Sequence, residues 1–145
     1  MKIIVFVVIT AALGFFTVAN ANEQTKSVQT AEKSVVKALE IQEISVEQVK
    51  RLMADSKTKF AIVDANNDGT RKDAGVIASA ILLTSYNQYA LTELPVDKST
   101  TLVFYCYNSY CQASHAAAER AIGAGYQDVR VMKAGIAGWN KANKV

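Results

Sequence analysis

Short apolar runs alternate with amphipathic segments along most of the chain. The segment LEIQEI (39–44) has an apolar residue at every second position, as half-buried strands do, and TTLVFYC (100–106) is a longer β-rich run. The segment SVEQVKRLMADS places its apolar residues on one helical face, and Ser45 and Gln48 have the spacing of a capping box. Strands that alternate with helices predict an α/β domain with a mostly parallel sheet flanked by helices on both faces.

The same patterns place the remaining elements. Further strands are expected at 59–65, within 75–83 and at 128–133. Further helices are expected at 87–94, ended by Pro95, and at 113–125 and 135–143, and NNDG (66–69) predicts a turn. In parallel sheets of this kind the site lies where the carboxyl ends of strands meet the amino ends of helices. Cys106 ends the strand at 100–106 and lies at such a place.

The first 21 residues have the pattern of a secretory signal peptide, with an apolar run that ends in Ala19-Asn20-Ala21. The alternative is an uncleaved membrane anchor, because residues 3–19 are nearly long enough to span a bilayer. The polar residues 22–38 predict a flexible leader, and 39–145 predict one domain. We therefore expect a periplasmic or secreted protein without stable membrane association after cleavage.

Composition narrows the function classes. The formal net charge is +3, and no Lys/Arg run is dense enough to form a phosphate-binding face, which argues against nucleic acid as a partner. The chain has two cysteines, Cys106 and Cys111, and one histidine, His115, all within ten residues. Two cysteines cannot form a disulfide framework, but they can form one bridge or one reactive site.

The position of Cys106 predicts a reactive thiol. Backbone amides of the loop after Cys106, together with the helix dipole, are expected to stabilise an anion and so to lower the pKa of this thiol. The alternative is that Cys106 is a small buried apolar residue. Strand alternation places Tyr105 on the opposite face, in the core.

The segment LVFYCYNSYCQASHAAAERAIGAGYQDVRVMKAGIAGW resembles the C-terminal half of a rhodanese domain. The matching residues are Cys106, Gly125-Tyr126, Val129 to Met132, Gly135-Ile136, Trp139 and, upstream, Asp64 in AIVDA. The likeness covers about residues 39–142 and implies a three-layer rhodanese-like fold. It also implies a sulfurtransferase without a cofactor. The Cys106 thiolate would take sulfane sulfur from a donor such as thiosulfate or polysulfide, hold it as a persulfide and pass it to a thiol or cyanide.

The chain departs from the family pattern at several positions. Cys111 stands where the family loop carries an Arg, and Gln112 stands where phosphatase relatives need an Arg to clamp phosphate, which argues against phosphatase activity. The family Arg after Asp64 is also missing. Arg71 is interpreted either as a substitute charge near the site or as a solvated loop residue. The expected substrate-binding loop consists of Tyr107, Asn108, Ser109, Tyr110 and Gln112.

Cys111 has three interpretations. It is a resolving thiol that attacks an oxidised or persulfidated Cys106, one half of a fixed disulfide bridge, or a residue that only shapes the loop. Cys106, Cys111 and His115 would supply three metal ligands, but structural zinc takes four, so no metal site is predicted. Two other functions stay open: a thiol–disulfide redox protein that uses both cysteines, and an inactive rhodanese fold that binds an unknown protein partner.

Overall fold

The structure, a computed structural model, describes residues 41–144. The predicted signal peptide (1–21), the leader (22–38) and the start of the first predicted strand lie outside these residues. Within the described part of the chain, no helix is long and apolar enough to cross a membrane.

Strands and helices alternate along the described residues. The strands are β1 (Gln42–Glu43), β2 (Phe60–Asp64), β3 (Ile81–Leu82), β4 (Thr101–Tyr105) and β5 (Val129–Val131). The α-helices are α1 (Val46–Ala54), α2 (Asp68–Ala74), α3 (Ala113–Gly123) and α4 (Gly135–Asn143), and Leu91–Glu93 forms a 3₁₀ turn.

The strands form one parallel sheet in the order β1-β5-β4-β2-β3. The central strand β4 is buried along its whole length, as its continuous apolar sequence predicts. Its register with β2 pairs Asp64 with Tyr105, so the carboxyl ends of these two strands lie side by side.

Helices cover both faces of the sheet. On one face, Phe104 and Cys106 share a buried cluster with Ala117 and Ala121 of α3, whose small side chains let the helix lie close to the strands. On the other face, Tyr105 packs in a cluster with residues of α1 and α4. The predicted three-layer α/β architecture is confirmed, and so is the burial of Tyr105 opposite Cys106.

The first helix begins as its sequence predicts. The Ser45 hydroxyl accepts a hydrogen bond from the Gln48 amide at 3.2 Å, and the Ser45 amide donates to the Gln48 side chain at 2.8 Å. This reciprocal capping box satisfies two amides that the helix itself leaves unpaired.

Two local predictions were wrong. The segment 66–69 is not a free turn: Asn67 caps α2 by accepting from the Thr70 amide at 2.9 Å, and the following residues are helical. The helix predicted at 87–94 is only the 3₁₀ turn. There the Glu93 carboxylate accepts bonds from the Thr84 amide and hydroxyl and from the Ala90 amide, which holds the chain in a compact loop.

Candidate functional site: a loop with two cysteines

The two cysteines lie on the loop that joins the central strand β4 to α3. Cys106 follows the last residue of β4 and is 1% exposed, whereas Cys111 is partly exposed. Tyr107 and Tyr110 are 46% and 88% exposed, so both aromatic rings face solvent at the mouth of the loop. Both cysteines are free thiols in this structure.

The amino end of α4 holds the start of the loop. The Ile136 amide donates to the Cys106 carbonyl at 2.8 Å, and the Ala137 amide donates to the Tyr107 carbonyl at 2.9 Å. Gly135 has φ +62°, and a Cβ atom there would lie 2.4 Å from the Tyr107 oxygen. Only glycine allows this approach, which gives the Gly-Ile pair of the family motif a physical role.

Asn108 organises the rest of the loop. Its carbonyl accepts from the Cys111 amide at 3.0 Å, and its side-chain oxygen accepts from the Tyr110 amide at 3.1 Å. The resulting turn brings Cys111 back toward Cys106. The remaining predicted loop residues, Ser109 and Gln112, are exposed beside it.

Cys106 points into the protein. Its sulfur lies 3.2 Å from the Cys111 carbonyl oxygen, to which it donates, and 3.2 Å from the Ser114 hydroxyl oxygen. Burial, followed by hydrogen bonding to the Cys111 side chain, raises the pKa of Cys106, although Ser114 opposes the shift. The prediction that the loop would lower this pKa was therefore wrong, because the thiol is enclosed by the core.

Cys111 has the environment that the sequence predicted for Cys106. Partial burial works to raise the pKa of Cys111, but hydrogen bonds from the Cys106 thiol and from the Tyr107 and Ala113 amides outweigh it and lower the pKa. Ala113 is the first residue of α3, so the amino end of that helix serves Cys111. The loop thus shifts the pKa values of the two thiols in opposite directions, up for Cys106 and down for Cys111.

Sequence reasoning did not select Ser114 as a site residue. Its side chain is buried and contacts the Cys106 sulfur from the first turn of α3. The sequence feature that could have identified Ser114 is its position at the start of the helix after the cysteine loop, because a hydroxyl there can face the end of the strand. His115, the next residue, is partly buried.

Arg71 is neither a loop residue nor solvated. It lies in α2 with a side chain that is 12% exposed, and its guanidinium donates to the Asp64 carboxylate at 3.4 Å and to Asp68 at 3.0 Å. It also donates to the carbonyls of Asp64 and Leu83 at 3.1 and 2.9 Å. These bonds tie the carboxyl ends of β2 and β3 together. A role toward substrate stays a prediction.

A small cavity lies beside the exposed end of the loop. It has a volume of about 170 Å³ and is lined by Thr70, Asp73 and Tyr107. Tyr107 follows Cys106 directly, so the cavity adjoins the cysteine loop. Within residues 41–144 no cluster of three metal-ligating side chains occurs.

Comparison with known proteins places the chain in a family. The family model for the rhodanese-like domain matches residues 45–142. The chain belongs to the rhodanese family. The match includes β4, the loop of Cys106 and Cys111, and α3. No curated protein matches the sequence.

Solved structures show the same fold. A protein from Bacillus halodurans has a TM-score of 0.60 at 19% identity, with 86% of this chain and 83% of that chain covered. A rhodanese-like domain protein from Staphylococcus aureus has a TM-score of 0.54 at 22% identity, with 68% and 91% covered. A Rhodopseudomonas palustris protein of unknown function, described as a possible tyrosine phosphatase, has a TM-score of 0.58 at 15% identity, with 91% and 97% covered. Identities this low establish the fold alone.

Proposed function

We propose that this rhodanese-family protein is a sulfurtransferase that carries sulfane sulfur as a persulfide on Cys106. The observation that supports the proposal is the pairing of two thiols on one hydrogen-bonded loop at the carboxyl end of the central strand. One thiol is buried, and the other is partly exposed and has a pKa that hydrogen bonding lowers against the effect of its partial burial. Sulfur transfer requires a thiol that a sulfur donor can reach and a site that shields the persulfide from solvent, and the two thiols meet these two requirements.

The transfer of sulfur needs no cofactor, because each sulfur bond that forms replaces one that breaks. A loop thiolate attacks the outer sulfur of thiosulfate, the bond between the two sulfur atoms of the donor breaks, and sulfite leaves with the electron pair. The product is a cysteine persulfide. An acceptor thiolate or cyanide then attacks the outer persulfide sulfur and releases the cysteine as a thiolate. With a polysulfide donor the leaving group is the shortened polysulfide.

Export is part of the proposal. The N-terminal pattern of residues 1–21 favours delivery to the periplasm or the cell exterior, where oxidants are abundant. A persulfide held on a buried sulfur would survive there longer than one in open solvent, because oxidation follows thiol accessibility. The partners we propose are therefore a small sulfur donor and a thiol acceptor.

A second candidate function rests on the same two thiols. The Cys106 sulfur lies 3.2 Å from the Cys111 carbonyl oxygen, so the two cysteines meet on one turn. Oxidation would join their thiols in a disulfide, with transfer of two hydrogens to an external disulfide. This thiol–disulfide exchange needs an external disulfide as the oxidant, whereas sulfur transfer does not.

Intact-mass analysis separates the two functions. The reduced mature protein is exposed to thiosulfate, quenched with an alkylating reagent and digested to map the modified cysteine. A gain of one sulfur atom that is absent in the Cys106→Ser/Cys111→Ser double variant supports sulfur transfer. A parallel sample receives oxidised glutathione as the external disulfide; loss of two hydrogens there, with a linked Cys106–Cys111 peptide, supports redox exchange instead. No change at either cysteine with thiosulfate, polysulfide or the disulfide would refute both functions and favour an inactive binding module.

A further inference from the structure

The two loop cysteines differ in how far a donor can reach them. Cys106 is 1% exposed, and its sulfur is enclosed by the Cys111 carbonyl, the Ser114 hydroxyl and the cluster under α3. Cys111 is partly exposed on the same loop. A donor such as thiosulfate must bring its outer sulfur into line with the attacking thiolate, so direct attack by Cys106 requires the loop to open first.

The two thiols also differ in acidity. Burial raises the pKa of Cys106, whose sulfur lies against the Cys111 carbonyl and the Ser114 hydroxyl. Partial burial acts to raise the pKa of Cys111 as well, but hydrogen bonding from Cys106 and from the Tyr107 and Ala113 amides outweighs it and lowers that pKa. The thiol that a donor can reach is thus also the more acidic of the two.

From this arrangement we propose that Cys111 is the thiol that exchanges sulfur with external donors and acceptors, and that Cys106 receives its sulfur from Cys111. The inference rests on the proposed sulfur-transfer function and refines it. Cys111, for which a resolving role was one of three interpretations of the sequence, acts first in this relay.

The relay has two balanced steps. In the first, the Cys111 thiolate attacks the outer sulfur of thiosulfate, sulfite leaves, and Cys111 carries a persulfide. In the second, Cys106 passes its proton to the outer sulfur of that persulfide and attacks the same sulfur atom. The sulfur–sulfur bond to Cys111 breaks, which restores the Cys111 thiolate and leaves a protonated persulfide on Cys106. Release runs through the same steps in reverse, so an acceptor thiol meets the sulfur on Cys111.

Ser114 completes the inner position. Its hydroxyl lies 3.2 Å from the Cys106 sulfur, and either atom can be the donor. Burial raises the pKa of Cys106, and hydrogen bonding from Ser114 opposes that shift. A persulfide formed on Cys106 would therefore start beside a hydrogen-bond donor. The inner cysteine is thereby suited to hold sulfur and the outer cysteine to exchange it.

Rapid-quench mass mapping with thiosulfate tests the relay. In the wild-type protein, sulfur is expected on Cys111 first and on Cys106 later. In Cys106→Ser, Cys111 still gains sulfur and keeps it. In Cys111→Ser, loading of Cys106 is expected to fall by at least about tenfold, because attack then waits for local opening of the loop. The two variants make the same chemical change at adjacent sites and control for each other.

The outcomes of this experiment distinguish failure of the relay from failure of the proposed sulfurtransferase function. Wild-type loading of Cys106 in the Cys111→Ser variant would overturn the relay and leave sulfurtransferase activity in place. Absence of sulfur on both cysteines of the wild-type protein would refute the function itself. Should Cys111→Ser fail to fold, substoichiometric iodoacetamide on the wild-type protein decides: alkylation of Cys111 first supports the relay, and alkylation of Cys106 first overturns it.

Discussion

Replacing Arg71 by alanine tests how the sheet edge next to the cysteine loop is held. The Asp64 carboxylate is fully buried, and the Arg71 guanidinium is the positive charge beside it, with further bonds to the carbonyls of Asp64 and Leu83. Removing one partner of a buried pair costs about 3–5 kcal/mol, since the other charge is left uncompensated. The Tyr105 hydroxyl and the Asn66 amide still donate to Asp64 at 2.9 and 2.7 Å. We therefore expect the low end, about 3 kcal/mol.

Urea unfolding of the mature protein measures this loss. For a domain with a slope of about 1–3 kcal/mol per molar urea, a loss of about 3 kcal/mol lowers the midpoint by roughly 1–3 M. Lys72→Ala is the matched control, because Lys72 is the next residue of α2 and is exposed; it should cost less than about 0.5 kcal/mol. A loss for Arg71→Ala within about 1 kcal/mol of the control would refute the assignment of Arg71 as the counter-charge of Asp64.

The conservative change Arg71→Lys connects this prediction to the site. Lysine keeps the charge but cannot reach two carbonyls and a carboxylate at once, so it should recover less than half of the stability. If Arg71 acts only through Asp64, the KM for thiosulfate of the folded Arg71→Lys protein should equal that of the wild type. A raised KM at full folding would instead support the interpretation of Arg71 as a substrate-binding charge.

Other features of the site and its support give further predictions. Gly135→Ala should lower the free energy of unfolding in urea by about 2–4 kcal/mol, because the added Cβ would lie 2.4 Å from a loop carbonyl oxygen and φ is +62°. The same change should reduce sulfur transfer. Gly123→Ala is the control, because a Cβ there would meet open space. Asp73→Asn should raise kcat/KM for thiosulfate about two- to fivefold, because it removes a negative charge from the adjacent cavity, and an unchanged value would contradict this. Burial works to raise the pKa of Asp128, but hydrogen bonds from Arg130 and a threonine outweigh it and lower the pKa. The stabilisation is thus present above about pH 4, the ordinary aspartate pKa, and is lost as the pH falls through the lower folded value. Asp128→Asn should therefore weaken the loss of urea stability at acid pH. A loss identical to that of the wild type would refute the contribution of Asp128.

The elements that could be predicted from the sequence are those whose stabilising interactions can be inferred from the residues of the element itself. The strand β4 is buried on both faces, so its continuous apolar run describes it fully. The start of α1 depends on Ser45 and Gln48, which are three residues apart and satisfy each other. In both cases the stabilising contacts are either local or insensitive to the identity of the partner.

The wrong predictions fall where a distant partner decides. The segment 87–94 has a helical pattern, but Tyr89 is fully buried and donates its hydroxyl to the Ala117 carbonyl of α3 at 2.9 Å. Glu93 meanwhile binds Thr84, nine residues away. These contacts stabilise a compact loop more than the hydrogen bonds of a short isolated helix would, because short helices are marginal without packing.

The site likewise has features that the sequence predicts and features that depend on distant contacts. Its place at the end of β4 follows from the strand pattern, and so does the side of the sheet that Cys106 faces, because alternation puts Cys106 with Phe104 against α3. That alternation already implies a buried thiol. The amides that act to lower the pKa of Cys111 against its partial burial belong to Tyr107 and Ala113, and the turn at Asn108 positions Cys111 beside them. A loop with one cysteine must place reactivity and protection on the same sulfur. In the relay that we propose, the second cysteine, at the position of the family Arg, lets this chain divide them between two sulfur atoms.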